Sequence, residues 1–154
     1  MSKHLWMYEG VTEYFAGHVQ VYEGLISKDE YLEVIQDKIK GASYYKDNLP
    51  FTTMSLGCLD EHEKQYGNVY QKGALIGMCL DILLREYSKG EMGMKDMMAM
   101  LSKEYGKNVS FKDEELFDKI ASLSSQKIRE FFKMYVEGES SLPLEELLNK
   151  VGIT

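Results

Sequence analysis

Cysteine, proline and histidine are scarce in this 154-residue sequence, and each scarcity removes a class of protein. Two cysteines, Cys58 and Cys79, are too few for a disulfide scaffold and lack the C-x-x-C spacing of zinc and redox sites. Cys79 falls in the apolar run "GALIGMCLDILL" and reads as a small core residue, whereas Cys58 lies in a stretch with no assignable pattern. The only prolines are Pro50 and Pro143, and no Pro- or Gly-rich linker divides the chain. His4, His18 and His62 never stand four residues apart, so no pair shares one side of a helix as helical metal motifs require. A histidine-based metal site within this chain is not expected, and His62, in the acidic "LDEHEK", reads as a solvated surface residue. No apolar stretch approaches the roughly 20 residues needed to cross a bilayer, and no basic-then-apolar leader pattern opens the sequence. Clusters of Lys and Arg are also missing. With a formal charge of -7, neither nucleic acid nor an anionic membrane is an expected partner, because both bind through clustered cations.

What is present describes one helical domain spanning 1–154. Hydrophobic residues make up 44% and charged residues 28%, the balance of a chain that folds around a single core. Leu5, Tyr8, Val11, Phe15, Val19 and Tyr22 recur at spacings of three and four, which predicts a helix over 5–23. "SKDE" at 27–30 fits a capping box opening a second helix, from Lys28 to Gly41, with Tyr31, Leu32, Ile35 and Ile39 inward. Residues 46–58 carry Pro50 and no period, reading as a long ordered loop with room for a short helical turn. From Val69 to Tyr87 apolar residues occur on nearly every side, the mark of a central helix. A Met-rich helix over 94–105 follows, with Gly106 as its expected left-handed terminator; its methionines are read as core rather than as a pliable binding face. Helices over 112–122 and 125–136, the latter capped by Ser124 or Ser125, precede a short last one opened by Pro143 and closed by Gly152. The fold class is all-α, a bundle of six or seven helices without a 34- or 40-residue repeat.

Four residues stand out against this pattern. Glu9 borders the apolar stripe of the first helix and precedes Gly10, which costs a helix interior roughly 1 kcal/mol relative to Ala. An edge carboxylate facing water accounts for Glu9 alone. Gly10 requires something close to the backbone: a metal, a substrate or, favoured by spacing, a neighbouring helix. Tyr70 stands near the start of the central helix, with Gly73 and Gly77 on the adjoining turns of its side; it is either a packed structural ring or a phenol aimed at a cavity. Asp81 lies farther along that side in apolar surroundings and reads as structural, paired with Arg85 at i+4.

The segments "LWMYEGVTEYFA" and "NVYQKGALIGMCLDILLRE" resemble the LW-x-x-EG-[FV]-T-x-Y-[YF] and Y-x-K-G-A-L-x-x-x-x-L-D-x-x-[IL]-R segments of the glycyl aminopeptidase family. These are zinc metallopeptidases among the gluzincins, relatives of aminopeptidase N. The likeness continues through "GMKDMMAMLSKEYG" and "FFKMYVEGESSLPLEELLNKVGI", in order along nearly the whole chain. It implies the C-terminal helical part of a thermolysin-like catalytic domain, with Glu9 as third zinc ligand and Tyr70 as the phenol stabilising the tetrahedral intermediate. It also implies that Gly10 lets the backbone pack against the helix bearing the other two ligands.

That helix carries H-E-x-x-H in the family, and this sequence contains none. The implied protein is therefore a catalytic-domain fragment that is inactive alone and holds no zinc by itself. Zinc, a peptide substrate with a small N-terminal residue such as Gly or Ala, and the missing N-terminal half as partner belong to the intact enzyme. The isolated chain is expected to self-associate through an exposed docking face. The competing reading is a non-catalytic helical interaction module derived from the same fold, and a third makes both Glu9 and Tyr70 structural.

Overall fold

The computed structural model describes residues 1–154 and contains helices only. A π-helical segment, Trp6–Val11, runs without a break into α1, Thr12–Tyr22. There follow α2 (Lys28–Ala42), α3 (Phe51–Leu56), a 3-10 turn at Glu63–Gln65, α4 (Asn68–Tyr87), α5 (Met94–Glu104), α6 (Leu116–Ser122), α7 (Gln126–Tyr135) and α8 (Leu144–Lys150). The fold is the expected all-α bundle, with eight α-helices rather than the six or seven that the periodicity predicts.

The local signals hold where they are hydrogen-bonding patterns. Ser27 Oγ accepts from the Glu30 amide at 3.2 Å and Glu30 accepts from the Ser27 amide at 2.7 Å, the reciprocal box that starts α2. Ser125, rather than Ser124, caps α7. Gly152 adopts φ +78° after α8. Gly106 does not follow its expectation: its φ is not positive, because α5 ends one residue earlier, at an extended Tyr105 with φ -118° and ψ 144°. The unpatterned stretch 46–58 contains α3, and its Phe51, Met54 and Cys58 are buried, which assigns the second cysteine to the core. The helix expected from 112 forms only at Leu116.

Fourteen of the twenty residues of α4 are buried, so the other elements pack around it. The π segment makes the most extensive of these contacts. A π turn closes i→i+5 hydrogen bonds and holds more residues per turn than an α turn. That spacing lets Trp6, Met7, Gly10 and Val11 all face inward while Tyr8 is exposed and Glu9 half-buried. The Thr12 hydroxyl donates to the Tyr8 carbonyl at 2.7 Å where the helix narrows again.

Gly10 and Gly73 form the crossing. A Cβ on Gly10 would stand 2.6 Å from Gly73 Cα and 2.5 Å from its carbonyl oxygen, so the two backbones touch. One turn on, a Cβ on Gly77 would meet Val11 and Tyr14 at 3.3–3.4 Å. The helix against Gly10 is thus α4, within this chain, and not the absent metal-motif helix that the family resemblance implied.

The far end of the π segment is held by aromatic rings. Trp6 stacks on Phe117 at 6.0 Å and meets Phe132 at 5.2 Å, while Phe117 and Phe132 lie 4.3 Å apart. His4 is fully buried among them. Its Nδ1 accepts from Trp6 Nε1–H at 3.0 Å, which leaves Nε2–H to donate to the Asp113 carbonyl at 2.7 Å. The imidazole is therefore neutral, and burial pulls its pKa below the ordinary histidine value, against the pull of Asp113.

Candidate active site

The backbone contact at Gly10–Gly73 decides where two side chains go. Glu9 precedes one glycine, and Tyr70 sits one turn before the other. Both are half-buried, and the structure brings them together: the Glu9 carboxylate is among the groups acting on the Tyr70 phenol. Tyr70 is also touched by Tyr66, which lies between the 3-10 turn and α4. The two hydroxyl oxygens are 3.1 Å apart, with the rings edge to face at 5.9 Å and 84°. The hydrogen bond with Tyr66, partial burial and the negative charge of Glu9, in that order, push the Tyr70 phenol up to about 12. Tyr70 therefore keeps its hydrogen at neutral pH and can donate it.

Glu9 forms no ion pair. The acid one turn away, Glu13, takes Lys38 at 2.5 Å. A half-buried carboxylate without a cationic partner, presented by a π turn, is the kind of local irregularity that clusters at functional sites. Its oxygens are acceptors only, which suits a cation or a proton donor. No group of three His, Cys, Asp or Glu in the chain is arranged to hold a metal ion. An apolar cleft of about 360 Å³, between Met7, Tyr8, Leu101 and Phe111, lies beside the π segment and includes neither Glu9 nor Tyr70.

Asp81 is structural, as its i+4 spacing to Arg85 indicated, and does more than that pair. Oδ2 accepts from Arg85 Nε at 3.1 Å and from the buried Tyr14 hydroxyl at 2.9 Å, while Oδ1 accepts the Met94 amide at 2.6 Å at the start of α5. Burial, and then the Asp81 charge, push the Tyr14 phenol far above its ordinary range.

Lys72 went unnoticed in the sequence. It is buried on α4 and donates to the Asp47 carbonyl and carboxylate at 2.8 and 3.0 Å, with Ser141 on the other carboxylate oxygen. This ties residues 43–50 to the helix that carries Tyr70. The available signal was a lysine in an apolar run two residues after Tyr70.

Residues 1–76 match the family model for M61 glycyl aminopeptidase. Among solved structures, an aminopeptidase N family protein from Idiomarina loihiensis is similar to 98% of this chain, at 27% identity and a TM-score of 0.87. The chain spans about 27% of the length of that protein. No protein with a curated description matches.

Proposed function

We propose that this chain, similar to M61 glycyl aminopeptidases over residues 1–76 and to an aminopeptidase N family protein in fold, is the C-terminal helical part of a zinc aminopeptidase catalytic domain. In this reading Glu9 is the third zinc ligand and Tyr70 the donor to the developing oxyanion. The observation that carries it is the convergence of Glu9 and Tyr70 across the Gly10–Gly73 crossing. The absence of a lysine or arginine on Glu9 supports it further. Two more ligands are required, and they come from the H-E-x-x-H helix of the N-terminal half, so this chain alone is inactive.

Zinc, when bound, supplies a Lewis acid that activates water and polarises a carbonyl. The residues of this chain do the rest of their share. Glu9 contributes negative charge and a lone pair from a turn anchored by Trp6 and His4. Tyr70 holds its proton at neutral pH and offers a hydrogen bond where charge builds up on the substrate oxygen. Removing such a donor costs roughly a hundredfold or more in rate. Small N-terminal residues, Gly or Ala, are the proposed substrates.

The test has two parts. The purified chain should not hydrolyse glycyl or alanyl arylamides, and hydrolysis abolished by a chelator would refute the need for a second half. The product of the complete reading frame should contain H-E-x-x-H upstream of Leu5, hydrolyse these substrates, and lose both zinc and activity on Glu9→Gln. A complete reading frame without that motif would favour the interaction module.

A further inference from the structure

We infer that Tyr66 is a positioning residue for Tyr70, the phenol that fixes where the Tyr70 hydroxyl oxygen sits and remains its hydrogen-bond partner throughout the reaction. The inference rests on the aminopeptidase reading of Tyr70 and names a residue to which that reading gives no role. Tyr66 Oη is 3.1 Å from Tyr70 Oη, and the two rings meet edge to face. Local backbone hydrogen bonds fix where the two residues sit in the main chain. Tyr66 ends the 3-10 turn Glu63–Gln65, its amide donating to the Glu63 carbonyl at 3.0 Å, and α4 begins two residues later. The Val69 amide in turn donates to the Tyr66 carbonyl at 3.0 Å.

A hydroxyl both donates and accepts, and only such a partner suits Tyr70. At rest, Tyr70 can give its single hydrogen to Tyr66. When that hydrogen is needed by the oxyanion, the Tyr66 hydroxyl rotates and donates to the Tyr70 oxygen instead. Tyr70 is then never left with an unpaired oxygen, and a phenol that accepts one hydrogen bond donates a stronger one. Phenylalanine at 66 keeps the ring and removes both roles. Tyr66 is more than a third exposed, so the loss of one oxygen leaves the fold intact.

The experiment uses two preparations. In the 154-residue chain labelled with ¹³C at tyrosine Cζ, Tyr66→Phe should shift the Tyr70 resonance at neutral pH. In the product of the complete reading frame, Tyr66→Phe should lower kcat about fivefold, the worth of one hydrogen bond, with KM unchanged. An unmoved Tyr70 resonance overturns the inference. So does an unchanged kcat in Tyr66→Phe when Tyr70→Phe is inactive. If Tyr70→Phe keeps full activity, the catalytic reading of Tyr70 fails first and the positioning role falls with it, a result distinct from failure of Tyr66 alone.

Discussion

Gly10→Ala tests the crossing on which the site depends, because two effects of known size act in opposite directions. Ala is favoured over Gly inside a helix by roughly 1 kcal/mol, so without a neighbour the substitution would stabilise. In the structure the new methyl would lie 2.5 Å from the Gly73 carbonyl oxygen and 2.6 Å from its Cα, against about 3.5–4.0 Å for ordinary contact. The obstacle is backbone, so no rotamer change relieves it. The π segment must withdraw from α4 by about 1 Å, loosening contacts along the most buried helix. Overpacking of this kind costs about 1–3 kcal/mol and more where nothing can yield. After the roughly 1 kcal/mol gained in helix propensity, the net expectation is a loss of up to about 2 kcal/mol, read as a lower urea midpoint at unchanged m-value by circular dichroism. Gly17→Ala on the same continuous helix is the internal control. Its methyl would meet the Tyr31 ring edge at 3.4 Å and the Val34 side chain at 3.7 Å, both ordinary contacts, and it should be neutral or gain a few tenths of a kcal/mol. If Gly10→Ala is as stable as Gly17→Ala, the close crossing does not exist and the placement of Glu9 beside Tyr70 loses its basis.

Three further outcomes follow from the buried polar groups. His4 has its folded-state pKa lowered by burial, so its contribution to stability is full above about pH 6.5 and is lost as pH falls toward the folded value, by up to about 1.4 kcal/mol per pH unit; urea titrations at pH 7.5 and 5.5 should show a slope that His4→Gln removes and His62→Gln keeps. Asp81→Ala strands the Tyr14 hydroxyl and the Met94 amide and should cost about 2–4 kcal/mol, with amide exchange fastest at the start of α5. Lys72→Met should change global stability by less than about 1 kcal/mol, because the Asp47 side chain is 58% exposed and can rehydrate; limited proteolysis should instead find residues 43–50 opened. A large loss of stability in Lys72→Met would mean that the Asp47 contact holds more than this segment.

The legibility of the sequence varied with the range of the interaction. The Ser27–Glu30 box, the Ser125 cap and the Gly152 terminator each involve groups within a few residues, and their spacing encodes them. Asp81 with Arg85 was legible for the same reason, whereas Tyr14 and Met94, the other two partners of that carboxylate, lie 67 and 13 residues away and left no pattern. His4 shows the limit clearly. As a lone histidine near the first residue it carried no signal of burial, and only Trp6, Phe117 and the Asp113 carbonyl, brought from two parts of the chain, make it a neutral core group.

By itself the sequence determined that the chain is helical, where most helices start and stop, and which family's motifs it carries, because those depend on residue type and local spacing. Tertiary structure alone decided that Gly10 meets Gly73, that the first helix opens with a π turn, and that Glu9, Tyr70 and Tyr66 share one corner. The Gly10–Gly73 and Glu9–Tyr70 relations join residues some 60 positions apart. They arise only when backbones pack, and hydrophobic periodicity records which face turns inward but not what it turns toward.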